Sequence, residues 1–247
     1  MITIKTNSEI ELMRDAGKIL RDCLLLVGEH VKPGITTKQL DMIAHDFIKK
    51  HNAIPSFLGY GGFPASICAS VNEEVVHGIP SNRVLKEGDI IGIDCGVIYK
   101  GWQSDAARTF AVGEISQVKK ELIKVTEESF FEAMKVVKEG ARLGDIGHAI
   151  QSYVEERGFS VVRDLVGHGI GKDMHEDPQV PNYGKAGKGL RLKRNMTLAI
   201  EPMINEGTYE VSQLDDGWTI VTDDMKASAH YENTVLVTED GVEILSL

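Results

Sequence analysis

The segment Ile90-Ile-Gly-Ile-Asp94-Cys-Gly-Val-Ile-Tyr-Lys-Gly-Trp-Gln-Ser-Asp105 contains two aspartates within two apolar strand patterns. A chain reversal at Tyr99 and Lys100 would form a hairpin in which Asp94 and Asp105 face each other, within one residue of register. Like charges opposed across two strands destabilise a sheet, whereas a cation between them is stabilising. We therefore interpret the pair as metal ligands; the alternative is two surface aspartates on a solvated face.

Three further residues of metal-binding types follow along the chain. His168 is flanked by glycines, Glu201 precedes a proline that interrupts its strand, and Glu232 begins a strand. Each of them alone would be an ordinary structural residue. A buried carboxylate is costly unless it is paired, and two divalent cations cancel the four negative charges. The sequence thus predicts a dinuclear metal centre with the ligands Asp94, Asp105, His168, Glu201 and Glu232.

The ligand types restrict the metal. Oxygen-rich ligation with a single nitrogen and no thiolate favours harder divalent ions. We expect Mn(II) or Fe(II) in the cell, with Co(II), Zn(II) or Ni(II) able to substitute. Two such ions about 3.5–4 Å apart activate a shared water and polarise a carbonyl, so the predicted class is a metalloenzyme.

The composition excludes other classes. Of the 247 residues 42% are apolar and 26% charged, which is typical of a globular chain. The formal charge of −10 argues against a main role in binding phosphate backbones, so we expect no DNA partner. Three widely spaced cysteines favour free thiols in a reducing cytoplasm. We find neither a signal-peptide core nor the ~18 apolar residues of a membrane span, so we expect a cytoplasmic protein without membrane contact.

Apolar residues at helical spacing predict four helices. Two begin at capping boxes, Ser8 with Glu11 and Thr36 with Gln39. The other two cover about 117–138 and 143–157. Strand patterns are predicted near residues 66–72, 89–98, 104–112, 160–164, 196–204, 208–211, 218–221, 230–238 and 242–247.

The order of helices and strands occurs twice, which indicates an internal duplication; coincidence is the alternative. At an offset of 106 residues Leu40 falls on Ile146 and Ile48 on Val154. No linker composition separates the repeats. We expect one domain over residues 1–247, with pseudo-symmetric halves of about 1–115 and 116–247 and the site between them.

Five motifs together resemble type I methionine aminopeptidase, over essentially the whole chain. They are Ile93-Asp-Cys-Gly, Ser104-Asp-Ala-Ala-Arg-Thr, Gly167-His-Gly-Ile-Gly, Glu201-Pro-Met and Tyr231-Glu-Asn-Thr. The resemblance implies the α/β pita-bread fold, in which duplicated halves surround a central metal site. It also implies removal of the initiator methionine from new proteins whose second residue is small. The lack of the N-terminal extension of eukaryotic members and of the type II helical insertion implies a bacterial-like member.

The resemblance implies roles for the metal ligands. Asp94 would chelate one ion, Asp105 and Glu232 would bridge both, and His168 and Glu201 would complete the shell of the other. A metal-bridging water or hydroxide would attack the scissile carbonyl. Glu201 would carry a proton from that water to the leaving amine.

The resemblance also implies substrate contacts. His77 would hydrogen-bond near the scissile amide nitrogen and His175 would polarise the scissile carbonyl. Turn capping is the alternative for both. The methionine pocket would comprise Tyr60, Phe63, Cys68 and Trp218, with Phe57 and Met174 at its wall. A small apolar core cluster is the alternative for these residues.

Three residues depart from the family pattern. Phe57 is bulkier than the cysteine common at its position, Met174 stands where an aromatic residue is frequent, and His230 where glutamine is usual. These departures affect the shape of the pocket and the surroundings of Glu232, and leave the ligand set intact.

Other functions and partners follow from weaker signals. An Xaa-Pro peptidase is the second enzyme hypothesis, and a non-catalytic binding protein or a metal-stabilised structural protein are the others. The expected partners are N-terminal peptides of nascent proteins. The basic residues of 185–194 are typical of a solvated loop, with contact to the ribosome as the alternative. We expect a monomer.

Overall fold

The computed structural model describes residues 2–247, which form helices packed against antiparallel sheets, as the predicted α/β class requires. The helices are α1 (Asn7–His30), α2 (Thr37–Lys50), α3 (Gln117–Met134) and α4 (Leu143–Glu155). The strands are β1 (Ile54–Pro55), β2 (Ile67–Val71), β3 (Glu74–Val76), β4 (Ile90–Tyr99), β5 (Trp102–Ala111), β6 (Ser160–Val161), β7 (Gly167–Gly169), β8 (Glu176–Val180), β9 (Thr197–Ile200), β10 (Met203–Asn205), β11 (Val211–Gln213), β12 (Ile220–Thr222), β13 (Ser228–His230), β14 (Asn233–Val237) and β15 (Val242–Ile244).

The helix starts test the predicted capping boxes. Thr36 and Gln39 cap α2 reciprocally, as predicted. The box predicted for α1 is wrong, because Thr6 and Glu9 form it two residues earlier. Thr6 has extended backbone angles and its side chain accepts from the Glu9 amide, which leaves Ser8 inside the first turn.

The two halves repeat the same backbone connections. In each half, the segment before the second helix pairs with the segment before a central strand, through two reciprocal amide-to-carbonyl bonds. The pairs are Gly34 to Leu85 and Leu85 to Ile35 in the first half, and Gly140 to Leu192 and Leu192 to Ala141 in the second. This repetition at the predicted offset favours the duplication. The single-domain expectation and the boundary near residue 115 stay predictions.

Each half has its own apolar core. In the first half, Leu20 and Leu40 on α1 and α2 are fully buried against β4, which pairs with β1, β2 and β5. In the second half, Phe130 and Ile146 on α3 and α4 are fully buried in the core beside a sheet of order β15-β14-β9-β7-β8.

The central hairpin β4–β5 turns at Lys100 and Gly101. Both residues have positive φ, 50° and 83°, which is the conformation of a two-residue type I′ turn. Glycine adopts it without strain, and the turn fixes the register of the two strands.

The predicted opposition of the two aspartates is wrong by two residues. Asp94 pairs with Ala107, and Asp105 pairs with Gly96, because the turn lies one residue later than predicted. Side chains alternate with a period of two, so a shift of two keeps both carboxylates on the same face of the sheet. The aspartates are therefore diagonal neighbours.

The strand predicted over 196–204 is interrupted at Pro202, as expected from its missing amide, and forms β9 and β10. Among residues 2–247, no helix combines the length and the apolar character that crossing a membrane requires.

Candidate active site

A cavity of about 140 Å³ lies where the two halves meet. It brings together every residue that the sequence predicted for the site. The lining residues are Phe57, Tyr60, Phe63, Cys68, His77, Asp94, Asp105, His168, Met174, His175, Glu201, Trp218 and Glu232.

Strands of both halves position the five predicted ligands. Asp94 and Asp105 lie on β4 and β5, and His168 lies on β7. Glu201 directly follows β9, and Glu232 directly precedes β14. Because β9 pairs with both β7 and β14, the last three residues converge on the aspartates of the first half.

Two threonines connect the halves beside the ligands. Thr234 Oγ1 accepts from the Asp105 amide at 2.8 Å and donates to its carbonyl at 2.9 Å. Thr109 Oγ1 makes the same two contacts with the backbone of His230, both at 2.9 Å. Between these two threonines, the Glu232 amide donates to the Ala107 carbonyl at 3.0 Å and the Ala107 amide donates to the Glu232 carbonyl at 3.3 Å. The spacing of the strands that carry Asp105 and Glu232 is thus fixed by bonds to their main chain.

The carboxylates and imidazoles lie within a few ångströms of each other. His168 Nε2 is 3.9 Å from Asp105 Oδ2 and 3.7 Å from Glu201 Oε1. His168 Nδ1 bonds the Gly169 carbonyl at 2.9 Å, which favours the tautomer with a free Nε2 lone pair. Asp105, His168 and Glu232 present ligand atoms all within 4.8 Å of one another.

Burial dominates the electrostatics of the cluster. It raises the pKa of Asp105 to about 7. Burial together with neighbouring carboxylates raises the pKa of Asp94, Glu201 and Glu232 well above the usual range. Burial lowers the pKa of His168 to about 4. Four carboxyls that resist ionisation are therefore gathered beside a neutral imidazole.

The cluster fits divalent cations. Three buried oxygens have no hydrogen-bond partner within the described part of the chain: Asp94 Oδ1, Asp105 Oδ1 and Glu232 Oε1. Buried polar atoms are rarely left unpaired, and three unpaired oxygens on one cavity wall have the chemistry of a cation site. A bound cation would satisfy these atoms and favour the ionised carboxylates.

The two predicted catalytic histidines lie at different depths. His77 is half-buried and has a φ of 60°, a strained backbone conformation for a residue with a side chain. His175 is exposed at the cavity mouth, and its ring centroid is 4.3 Å from that of His168. Burial lowers the pKa of both His77 and His175.

A hydrogen bond that the sequence did not predict spans the cavity mouth. Tyr60 Oη lies 2.7 Å from His175 Nδ1. The residues are 115 positions apart and belong to different halves. No local pattern predicts this bond, because it depends on how the Gly59–Gly62 loop meets the loop before β8.

The opposite wall of the cavity is apolar. Phe57, Phe63, Cys68 and Met174 are buried in one cluster, and Trp218 packs edge-on against Phe63 with ring centroids 5.1 Å apart. The cluster has the composition of a small core, yet all five side chains line the cavity. Phe57 and Met174, which depart from the family pattern, both contribute to this wall.

Two residues near Glu232, the half-buried Arg108 and the buried His230, were not predicted as site residues. Arg108 donates to the Glu232 carbonyl at 2.6 Å and to Asn233 Oδ1 at 2.7 Å. Its guanidinium lies 4.2 Å from the centroid of the Tyr231 ring. The imidazole of His230 is 3% exposed and faces Glu201. His230 and Glu232 are two residues apart on an extended segment, so their side chains share a face. This spacing was the signal in the sequence that could have placed His230 beside the ligands.

Comparisons with known proteins agree with this geometry. The sequence pattern of metallopeptidase family M24 matches residues 11–239. The chain is 61% identical to the methionine aminopeptidase of Clostridium acetobutylicum, over all of this chain and 99% of that protein. Its structure matches the crystal structure of methionine aminopeptidase from Rickettsia prowazekii with a TM-score of 0.98, at 49% identity and over 100% of both chains.

A more distant likeness concerns the fold alone. The prolidase from Pyrococcus furiosus is 22% identical to this chain, with a TM-score of 0.77 over 99% of this chain and 65% of that protein.

The fold and the carboxylate–imidazole cluster define a metallopeptidase, and the chain belongs to metallopeptidase family M24. Within the family, the predicted resemblance to type I methionine aminopeptidase is confirmed. The predicted pita-bread fold, the hydrolase class and the use of divalent metal are confirmed with it.

Proposed function

We propose that this aminopeptidase removes the initiator methionine from nascent proteins whose second residue is small. The observation that carries the proposal is a cavity with one apolar aromatic wall and one wall of carboxylates and imidazoles. A flexible, unbranched thioether suits the apolar wall. The opposite wall then faces the peptide bond that follows the methionine.

The proposed metal ligands are Asp94, Asp105, His168, Glu201 and Glu232, which hold two divalent cations. The unpaired buried oxygens of three of these residues support the assignment. When bound, the cations lower the pKa of a shared water and polarise the scissile carbonyl. Fe(II) or Mn(II) is the proposed metal in the cell.

Glu201 is the proposed proton carrier. It accepts a proton from the nucleophilic water and passes it to the leaving amine. When no cation is bound, burial and the nearby Asp105 raise the pKa of its carboxyl, which supports a group that can hold a proton between two transfers. Its side chain is largely enclosed, which supports proton transfer inside the cavity.

The two histidines are proposed to bind the substrate backbone. His175 donates from Nε2 to the scissile carbonyl oxygen, and His77 bonds near the scissile nitrogen. The phenol of Tyr60 is a better donor than acceptor, so its bond to Nδ1 favours the Nε2–H tautomer of His175. The strained backbone of His77 is the kind of feature that occurs at functional sites.

The pocket proposal assigns the methionine side chain to the space among Phe57, Phe63, Cys68, Met174 and Trp218. Tyr60 stands at the mouth and limits the room beside the scissile bond. A bulky second residue would contact Tyr60 and His175, which supports a preference for small residues there.

The remaining assignments are broader. Nascent N-terminal peptides are the proposed substrates, and we keep a cytoplasmic monomer as the proposed state. Contact with the ribosome through the exposed basic loop 185–194 remains a further hypothesis.

The test measures free methionine released from Met-Ala-Ser and Met-Leu-Ser, with Ala-Pro-Ser as a control. The protein is stripped with chelator and reloaded with Mn(II), Fe(II) or Co(II). Metal-dependent release from Met-Ala-Ser, with little from Met-Leu-Ser, is expected. Cleavage of Ala-Pro-Ser alone would move the assignment to an Xaa-Pro peptidase.

The test variant is Glu201→Gln, which keeps the shape of the side chain, removes its capacity to carry a proton and replaces a carboxylate metal ligand with an amide. Turnover should fall by at least about 10², the lower range for loss of a general acid–base group. Peptide binding by the variant should persist. A folded wild-type protein that binds peptide but cleaves none of the three would support the binding-protein hypothesis.

A further inference from the structure

His230 is a buried imidazole that the proposed mechanism does not use. It ends β13, and its side chain is 3% exposed. Its Nε2 is buried and has no hydrogen-bond partner among residues 2–247. A buried ring nitrogen without a partner is uncommon and calls for a ligand or a proton donor.

The unpaired nitrogen faces the carboxylate cluster. His230 Nε2 is 3.6 Å from Glu201 Oε2. Glu201, His230 and Glu232 present ligand atoms all within 4.8 Å of one another. This triad shares Glu232 with the triad of Asp105 and His168, so the cluster contains two overlapping sets of one imidazole and two carboxylates.

The backbone of His230 is held in place independently of the ring. Thr109 Oγ1 bonds both the amide and the carbonyl of His230 at 2.9 Å. β13 also pairs with β10, which places His230 opposite Met203. The strand β13 therefore positions the imidazole beside the cluster, and its backbone is held by Thr109 and by β10.

We propose that His230 is a sixth protein ligand, which binds through Nε2 the divalent cation held between Glu201 and Glu232. The proposal rests on the metal site of the proposed function and extends it. A direct hydrogen bond from His230 to Glu201 is the competing role, but 3.6 Å exceeds the usual length of such a bond.

A second imidazole changes the metal preference. Nitrogen ligands favour Fe(II), Co(II) and Zn(II) over Mn(II), whereas carboxylates suit Mn(II). The site of this chain should therefore discriminate against Mn(II) more strongly than a site with one imidazole. Fe(II) satisfies both the oxygen-rich set and the added nitrogen.

The direct test counts the imidazole ligands by ¹H NMR of the Co(II)-loaded protein. Each histidine bound to Co(II) gives a solvent-exchangeable N–H signal with a large paramagnetic shift. We expect two such signals from the fully loaded wild-type protein. This count is informative without any variant. His230→Gln, which keeps a polar side chain of similar length, should lose one of them, and His168→Gln should lose the other.

The outcomes separate this proposal from the proposed function. A signal set unchanged by His230→Gln, or a single signal in wild type, overturns the sixth ligand. If His230→Gln loses a signal and His168→Gln does not, the sixth ligand is supported while the five-ligand set is contradicted.

Metal affinity gives a second readout that does not require turnover. Titration of the stripped proteins should show that His230→Gln raises the Kd for Co(II) by at least about tenfold, the lower end of the loss seen when a partner of a metal ligand is removed. The Kd for Mn(II) should rise less. Equal changes for both metals, or none, would contradict a nitrogen ligand.

Discussion

At the scale of single residues, the site is costly to build without a cation. Asp94, Asp105 and Glu232 each have a buried oxygen without a hydrogen-bond partner. Burial raises the pKa of each of these carboxyls, because the ionised form loses its hydration in the folded chain at a cost in free energy. Such residues persist when a bound ion compensates the cost.

Tyr60→Phe tests the hydrogen bond across the cavity mouth. The variant keeps the ring and removes the hydroxyl that bonds His175 Nδ1 at 2.7 Å. We expect kcat for a Met-Ala peptide to fall by roughly two- to twelvefold, which corresponds to a neutral hydrogen bond of ~0.5–1.5 kcal/mol. KM should change little, because the ring remains. A raised KM with unchanged kcat would show that Tyr60 contributes to substrate binding and not to the orientation of His175.

At the scale of elements, β4 serves both the metal site and the pocket from the same face, at two positions that lie two residues apart. Asp94 points into the cavity, and two residues later Gly96 leaves room for the loop of Ser56 and Phe57. A Cβ at Gly96 would lie 2.7 Å from Ser56 Cβ and 2.8 Å from Phe57 Cε1. The glycine therefore sets the position of a pocket residue.

Gly96→Ala should displace Phe57 and reshape the methionine wall. We expect KM for methionyl peptides to rise several-fold, with metal affinity unchanged because no ligand moves directly. Steady-state kinetics and metal titration measure the two effects separately.

Gly92→Ala on the same strand is the matched control. Its Cβ would meet no atom closer than 3.7 Å, which is an ordinary contact. The control should retain wild-type KM. If both alanine variants raise KM equally, general disturbance of β4 explains the result and the pocket argument fails.

At the scale of the whole molecule, the buried acids link stability to pH and metal. Burial raises the pKa of Asp105 from 3.8 to about 7, so a proton stays on the folded protein where the unfolded chain has lost it. A raised folded-state pKa contributes stability at low pH that is lost as pH rises. The neutral histidines, with lowered pKa, oppose this trend only below about pH 6.5, where free imidazole is protonated.

Metal-free protein should therefore lose stability as the pH rises from about 6.5 through the folded-state pKa of Asp105, which is about 7. The free energy of unfolding should fall by up to ~1.4 kcal/mol per pH unit for each proton retained by the folded state. With saturating Mn(II) the trend should reverse, because ionised carboxylates bind the cation more tightly. Thermal unfolding across this range, with and without chelator, measures both slopes.

Asp105→Asn provides the control for this linkage. The amide cannot ionise, so the decline of the metal-free protein should become shallower. A metal-free wild type whose Tm is flat or rises between pH 6.5 and 8 would show that the carboxyls ionise freely in the folded state.

The sequence by itself determined the features that depend on local chemistry. Apolar residues at a spacing of 3.6 residues predict the helices. The capping box at Thr36 is predictable because its two partners are only three residues apart. The missing amide of Pro202 predicted the break after Glu201. The ligand types predicted a metal enzyme, since few other arrangements make buried carboxylates tolerable.

Only the tertiary structure decided features that depend on distant contacts. β3 and β7 are three residues long, too short for an alternating pattern, and form because neighbouring strands supply their partners. The register of Asp94 and Asp105 follows from the positive φ of Lys100, which residue type does not predict. The bond of Tyr60 to His175 and the approach of His230 to Glu201 join segments far apart in sequence. Such contacts arise when the two halves pack together, because packing, and not local propensity, sets the distances between them.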